Sequence, residues 1–157
     1  MSLNCGADQR LRLRYCLDAD PQQLRLPPPI SDPGRTDELW RHTCFEVFVA
    51  GHRSTAYREF NFSPSGQWAA YAFTACRAGM LPLALQRAPE LRWQRTDSQL
   101  ELIATLPAEA LWPGEDALRI ALSAVIEEQS GTITYWALKH PAGQPDFHHP
   151  GSFALEF

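Results

Sequence analysis

The sequence predicts an all-β protein in one domain, residues 1–157, folded as an antiparallel β-sandwich, jelly-roll-like, with two sheets and little helix. Three observations support this prediction. About eight or nine segments alternate apolar and polar residues with the period of a strand. Turn residues separate these segments. The 13 prolines suit a loop-rich protein in which proline occupies connections and sheet edges.

The first half of the chain is expected to form four strands. The earliest covers residues 10–18 and places Leu11, Leu13 and Tyr15 on one face. Residues 26–35 are proline-rich and cannot continue a central strand, because proline removes ladder donors. We expect this segment to be either a lid over a sheet face or a packed connection. A meander of three strands follows at 44–50, 57–63 and 68–73.

The second half is expected to add five strands. Residues 91–96 and 99–106 form a hairpin, with Asp97 and Ser98 at the turn. Residues 107–111 suit one helical turn, ended by the Trp-Pro-Gly sequence at 112–114. Residues 75–89 are compatible with a short helix or an irregular crossover. The remaining strands are predicted at 118–127, 131–138 and 151–157.

Composition excludes several function classes. The net charge is −4 and the chain has no basic run, which argues against nucleic-acid partners. No apolar window is long enough for a membrane-spanning helix, so we expect no membrane partner. The first residues lack the apolar region of a signal peptide, and we therefore expect a cytoplasmic protein.

The four cysteines are Cys5, Cys16, Cys44 and Cys76. They are widely spaced and form no C-x-x-C pair, so neither a disulfide framework nor a zinc site is expected. The simplest expectation is four reduced thiols that act as small buried hydrophobic groups.

One strand face carries an unusual set of polar groups. The alternation at 57–63 puts Tyr57, Glu59, Asn61 and Ser63 on one side and the phenylalanines on the other. A carboxylate, an amide and a hydroxyl thus lie in a row beside aromatic rings. Such a surface suits a polyhydroxylated or otherwise polar small molecule.

Four sequence motifs resemble those of a known family. They are LW-x-x-x-C-x-E-x-F at 39–48, Y-x-E-F-N-F-S-P-S-G-x-W-A-A-Y at 57–71, YWALKHP at 135–141 and PDFHHP at 145–150. Together they resemble the DOMON-like superfamily, in the branch similar to family 9 carbohydrate-binding modules. The resemblance spans residues 40–157 and implies a sandwich of two antiparallel sheets. It also implies a non-catalytic role, with sugar or haem as the ligand.

The leading hypothesis is therefore non-catalytic binding of a small polar ligand, a carbohydrate above all, on a concave sheet face. Sugar recognition needs a flat aromatic platform together with carboxylates and amides that pair with hydroxyl groups. An internal polar network that fixes strand pairing is the structural alternative. The candidate binding residues are Trp40, Trp68 and Trp136 for stacking, Glu46, Glu59, Asn61 and His140 for hydrogen bonds, and Ser63 and Tyr71 beside them.

Two other functions remain open at this stage, although no cofactor is expected. Glu46 and Glu59 could act as the carboxylate pair of a small sugar hydrolase. A haem or metal carrier is the other alternative, with Met80 and His140 as axial haem ligands. The metal candidates are Asp146 and His148, with His140 and His149 nearby, although their spacing matches no closed zinc motif.

Overall fold

A computed structural model of the protein describes residues 1–6, 10–112 and 117–157. Within them, two antiparallel sheets carry almost all the regular structure, which confirms the predicted all-β sandwich. Jelly-roll connectivity stays a prediction. The turn predicted at 113–114 lies outside the described residues.

The smaller sheet has four strands in the order β1-β2-β8-β7. Its two central strands pair along their whole length, from Leu11 opposite Leu106 to Asp18 opposite Gln99. The strand bounds are β1 Ser2–Cys5, β2 Leu11–Asp18, β7 Glu90–Arg95 and β8 Gln99–Leu106.

The larger sheet has seven strands in the order β10-β9-β3-β4-β5-β6, and β11 also pairs with β9. The central strand β3 pairs with β4 on one side and with β9 on the other. The predicted meander is confirmed as β3-β4-β5. The strand bounds are β3 Cys44–Gly51, β4 Tyr57–Phe62, β5 Trp68–Phe73, β6 Leu81–Pro82, β9 Leu118–Glu127, β10 Ile133–Ala137 and β11 Leu155–Glu156.

Helical structure in the described part is limited to three single 3₁₀ turns, at Leu39–Arg41, Ala108–Ala110 and Pro150–Ser152. The turn at Ala108–Ala110 confirms the helical turn predicted at 107–111. Two short strands, β1 and β6, escaped prediction because neither has a clear alternation. The last strand is shorter than the predicted 151–157, since a 3₁₀ turn occupies its first residues.

The main core lies between the two sheets, where period-two alternation points one face of every long strand inward. Leu11, Leu13 and Tyr15 are buried there, as predicted. The Tyr15 hydroxyl donates across the core to the backbone carbonyl of Glu46, at 2.6 Å. This bond fixes the central strand that carries Glu46.

A second apolar cluster covers the opposite, outward face of the larger sheet. It explains why all eight residues of β3 are buried, although side chains alternate between faces. Phe45, Val47 and Val49 belong to the main core, whereas Cys44 and Phe48 belong to this second cluster. The sheet is therefore covered on both sides.

The proline-rich segment at 26–35 packs as a connection. Its Arg35 guanidinium donates to the carbonyl groups of Leu83 and Ala70 and lies 5.5 Å from the centre of the Trp68 ring. The backbone N–H of Ile30 donates to Ser65 at 3.0 Å. These bonds hold the segment along the edge of the larger sheet, which answers the question left open by the sequence.

All four cysteines are free thiols, but only Cys44 is fully buried. Cys5 and Cys76 are exposed, so the prediction of four buried thiols is wrong for these two. Both lie in segments without the alternation that places a side chain in a core. No helix in the described ranges is long and apolar enough to cross a membrane.

Candidate functional site

The polar groups predicted on strand β4 lie on the outward face of the larger sheet. Glu46 on β3 stands opposite Asn61 on β4 and opposite Ser123 on β9. Glu59 lies two residues before Asn61, so Glu46 and Glu59 are diagonal neighbours on adjacent strands. The strand register thus brings both predicted carboxyl groups to one place.

A cavity of about 360 Å³ opens above these carboxyl groups. Its floor is the sheet, and its walls come from the 3₁₀ turn Leu39–Arg41, the segment after β5 and the loop after β10. Aromatic side chains form much of the wall. The lining residues are Trp40, Glu46, Glu59, Phe73, Arg77, Met80, Val125, Tyr135, Pro145, Phe147 and His148.

Glu59 and Asn61 form a buried hydrogen-bonded pair. The amide nitrogen of Asn61 donates to Oε1 of Glu59 at 2.7 Å, and Asn61 itself is fully buried. The thiol of Cys44 donates to the Asn61 amide oxygen at 3.7 Å. Asn61 therefore positions Glu59 and leaves its second oxygen, Oε2, for the cavity side of the site.

The pKa values of both carboxyl groups are raised. Burial raises the pKa of Glu59 to about 7, against the opposing effects of Asn61 and Arg77. Burial, followed by the charge of Glu59, holds the pKa of Glu46 well above its usual range. Ser123 donates to Glu46 at 3.4 Å and only partly offsets this effect. The raised pKa of Glu46 favours its protonated form, and the neighbouring Glu59 titrates near neutral pH.

His148 lies between Tyr57 and Glu59. The Tyr57 hydroxyl accepts from the backbone N–H of Arg77 at 3.1 Å and is 2.7 Å from Nδ1 of His148. Its own proton is free to donate to Nδ1, which places the proton of neutral His148 on Nε2. That Nε2 atom is 3.8 Å from Oε2 of Glu59.

The pKa of His148 is lowered to about 4, first by burial and then by the charge of Arg77. The imidazole is therefore neutral at pH 7. Its ring packs edge-on against Phe48, Tyr57 and Phe73. Held in this way, His148 offers an N–H donor beside the Glu59 carboxyl group.

An ion pair fastens the loop after β10 over the sheet. Arg77 donates from Nη2 to Oδ1 of Asp146 at 2.8 Å, and the same oxygen accepts from the His148 backbone N–H at 3.1 Å. Burial opposes ionisation of Asp146, but the bonds from Arg77 and His148 lower its pKa overall. The pair fixes one wall of the cavity.

Trp40 forms another part of the cavity wall. Its ring meets Tyr71 edge-on, with centroids 5.7 Å apart. The Tyr71 hydroxyl donates to Asp37 at 2.6 Å. Tyr71 is buried beneath Trp40 and supports it, so it contributes to the cavity through Trp40 alone.

Two of the predicted binding residues, Trp68 and Trp136, lie away from the cavity. Trp68 pairs with Phe62 and faces the main core. Trp136 pairs with Ala124 and points to that same side of the sheet, where 57% of its surface is exposed. In both cases strand parity, which the motif alone does not reveal, sets the direction of the ring.

Two more predicted residues have other surroundings. Ser63 is buried in the turn after β4, where its hydroxyl accepts from the Ser65 hydroxyl at 2.9 Å. His140 is exposed and packs near Phe147, with ring centroids 6.1 Å apart, outside the cavity lining. Neither side chain meets the Glu46 and Glu59 pair.

Sequence reasoning missed three important wall residues, Tyr135, Phe147 and Arg77. Tyr135 pairs with Val125 on the cavity side, so the alternation of β10 could have selected it instead of its neighbour Trp136. Phe147 could have been selected as an aromatic residue next to the candidate His148 in the PDFHHP motif. No sequence pattern identifies Arg77, because its position depends on a left-handed backbone conformation with φ 53°.

The residues considered for metal or haem have other partners. Among the described residues, no group of three or more His, Cys, Asp or Glu side chains converges as a metal site. Asp146 binds Arg77, and Nδ1 of His148 faces Tyr57. Met80 lines the cavity, but its predicted haem partner His140 does not.

Comparisons with known proteins give one structural neighbour. Neither protein-family models nor curated protein sequences match this chain. The crystal structure of a proposed carbohydrate-binding protein from Bacteroides uniformis is similar, with a TM-score of 0.67 and 15% sequence identity. The similarity covers 92% of this chain and 71% of the other. At this identity it establishes a shared fold, and the chain is a β-sandwich of that kind.

Proposed function

We propose that the protein binds a small carbohydrate in the cavity above Glu46 and Glu59 without transforming it. One observation carries this proposal: two buried carboxyl groups form the floor of a cavity whose walls are largely aromatic. The fold shared with a proposed carbohydrate-binding protein supports it, as does the resemblance to the DOMON-like superfamily and its family 9 branch.

The arrangement suits a sugar ring chemically. Trp40, Tyr135 and Phe147 line the cavity and offer flat surfaces for the apolar C–H face of a pyranose. The protonated form of Glu46, which its raised pKa favours, can donate to one hydroxyl group, and the ionised form of Glu59 can accept from another. Since each sugar hydroxyl both donates and accepts, this pair of carboxyl groups matches adjacent hydroxyls.

Binding can be tested with a panel of neutral, amino and acidic mono- and disaccharides. A saccharide at 100 times its dissociation constant stabilises the folded state by about 2.7 kcal/mol, which a thermal-shift assay detects. Titration calorimetry of the best saccharide then gives its affinity. A panel that produces no shift with any saccharide would contradict the proposal.

The Glu59→Gln variant tests whether this cavity is the binding site. Gln keeps the oxygen that accepts from Asn61 but loses the charge, so we expect about tenfold weaker binding. Glu101→Gln is the matched control, because Glu101 pairs with Arg14 on the smaller sheet. Equal affinities for both variants would place the sugar elsewhere.

Hydrolysis by the same carboxyl pair is the second candidate function, favoured by their position as diagonal neighbours. A retaining hydrolase needs one ionised carboxylate and one acid. Here burial raises the pKa of Glu59 to about 7, so only part of the molecules present an ionised nucleophile at neutral pH. We therefore expect chromatography to recover disaccharides intact after long incubation, and released monosaccharide would establish the hydrolase instead.

A further inference from the structure

A second cavity lies on the same sheet face, beyond His148. Its volume is about 470 Å³; His148 lines both cavities, and Tyr57 lines the second one. It lies where β3 ends and where β4 and β9 begin. Its other lining residues are Ala50, His52, Arg53, Ser54, Thr55, Ala75, Cys76, Arg119, Pro150 and Phe153.

The charge of this second cavity differs from that of the first. Its described lining contains Arg53 and Arg119 together with His52, and contains no Asp or Glu. Arg53 is exposed, and its side chain forms no hydrogen bond or ion pair with any residue that the structure describes. Among the described residues, the lining of this cavity therefore carries positive charge and no acidic side chain, on a protein whose net charge is −4.

Arg119 is held in a fixed orientation at this cavity. Its Nη2 donates to the carbonyl oxygen of Ser54 at 2.7 Å, and its guanidinium carbon lies 5.2 Å from the centre of the Phe153 ring. Its Nε is buried and has no hydrogen-bond partner among the described residues. A guanidinium that is already oriented and still has free N–H groups is suited to a planar or tetrahedral oxyanion.

We propose that this second cavity binds the oxyanion group, carboxylate, sulfate or phosphate, of a small molecule. Arg119 supplies oriented donors, and the exposed Arg53 supplies a second positive charge. The Ser54 hydroxyl accepts from the backbone N–H of Ala56 at 3.1 Å, so its own proton can donate to the anion. The site is separate from the carbohydrate site and does not depend on it.

Cys76 provides a reporter within the cavity. Its thiol is exposed and lines the cavity, whereas the exposed Cys5 lies on β1 of the other sheet. Alkylation by iodoacetamide at pH 8, followed by peptide mass spectrometry, gives a separate rate for each thiol. Inorganic phosphate, sulfate or acetate is added at constant ionic strength, with sodium chloride as the balancing salt.

We expect a bound oxyanion to protect Cys76 and to leave Cys5 unaffected. At ten times the dissociation constant, the rate at Cys76 should fall about tenfold. Comparing the three anions shows which oxyanion geometry the site prefers. Equal rate changes at Cys76 and Cys5, or no change with any of the three anions, would overturn the proposal.

One variant and its matched control test the role of Arg53. Arg53→Gln should remove most of the protection of Cys76, and the matched Arg95→Gln variant, an exposed arginine on β7, should retain it. Thermal shifts with phosphate against chloride provide a readout independent of the thiol. Protection or stabilisation that is identical in both variants would contradict an anion site at Arg53.

The two proposed sites can fail separately. Loss of phosphate binding in Arg53→Gln with unchanged sugar binding supports two independent sites. If sugar binding to the wild type is absent while phosphate still protects Cys76, the carbohydrate proposal fails and the oxyanion proposal stands.

Discussion

Glu59 shows how burial changes the chemistry of a single residue. Its carboxyl group would be ionised in water at pH 7, yet its pKa in the folded protein is about 7. Between the ordinary pKa of a glutamate and pH 7, the folded protein therefore keeps a proton on Glu59 that the unfolded chain has already released. Stability contributed by that proton is present below the unfolded pKa and is lost as pH rises towards 7.

The first prediction concerns the pH dependence of Glu59→Gln stability. At pH 4.5 wild type and variant should have similar free energies of unfolding, because Glu59 is protonated. At pH 8 the variant should be the more stable, by on the order of 3 kcal/mol, since it no longer buries a charge. Urea unfolding at both pH values measures this difference.

Glu127→Gln serves as a control with the opposite sign. Hydrogen bonds from Arg25 and His42 lower the pKa of Glu127, so its stabilising contribution is present above the unfolded pKa and is lost in acid. This variant should be destabilised at pH 8 relative to wild type. The same sign of pH dependence for both variants would contradict the assigned environments.

The second prediction concerns the Tyr57 hydroxyl. Tyr57→Phe leaves Nδ1 of His148 and the N–H of Arg77 without their partner, so we expect a loss of about 1–3 kcal/mol in stability. The matched control is Tyr135→Phe, because Tyr135 is half exposed and should change little. Chemical denaturation of both variants measures the difference.

Nitrogen NMR gives an independent test of the His148 tautomer. At pH 7 the wild-type ring should be neutral, with its proton on Nε2, and Tyr57→Phe should populate the other tautomer as well. A wild-type ring that is charged at pH 7, or protonated on Nδ1, would contradict the proposed bond from Tyr57.

At the scale of elements, the loop after β10 has the role that the sequence analysis considered for residues 26–35. The proline-rich segment is fixed along a sheet edge by Arg35, while Phe147 and His148 from the later loop cover the polar face. The Arg77 and Asp146 pair links that loop to the end of β5. This loop is therefore the element that shapes the site.

The third prediction follows from this ion pair. Asp146→Asn removes the charge facing Arg77, which is worth about 0.2–1 kcal/mol for partly exposed groups. Amide exchange at residues 147–148 should accelerate by up to about fivefold, with β3 amides unchanged. Glu38→Gln, which breaks the exposed Glu38 and Arg41 pair, should leave that loop unaffected. If both variants exchange alike, the pair does not hold the loop.

Strand elements were largely predictable because alternation is a local property. The apolar faces of β2, β8 and β9 follow directly from the sequence, and the structure buries them as expected. The short strands β1 and β6 depend on pairing partners rather than on their own pattern. Their existence could not be inferred from local residues.

At the scale of the whole molecule, the site combines what strand parity predicts with what only the tertiary structure supplies. Glu46, Glu59 and Asn61 come together because residues paired across adjacent strands share a face of the sheet. Glu46 pairs with Asn61, and Glu59 lies two residues away on the same face. Arg77 and Tyr135 reach the cavity through a turn conformation and a strand pairing that the motifs do not contain. The floor of the site was therefore predictable, and most of its walls were not.

The whole structure also explains why only one of the three tryptophans predicted to stack on a ligand lines the cavity. The larger sheet separates two environments, and both Trp68 and Trp136 lie on its core side. Trp40 approaches from the 3₁₀ turn and meets the outward face. A carbohydrate bound on the outward face would therefore stack on Trp40.

The most direct test of that claim compares Trp40→Ala with Trp136→Ala by calorimetric titration of the best saccharide from the panel. Both variants remove one indole ring, but only Trp40 lines the cavity. We expect Trp40→Ala to weaken binding at least about tenfold, in keeping with the loss of a buried aromatic contact, and Trp136→Ala to bind like wild type. Unchanged binding in Trp40→Ala, or a larger loss in Trp136→Ala, would contradict the proposed site.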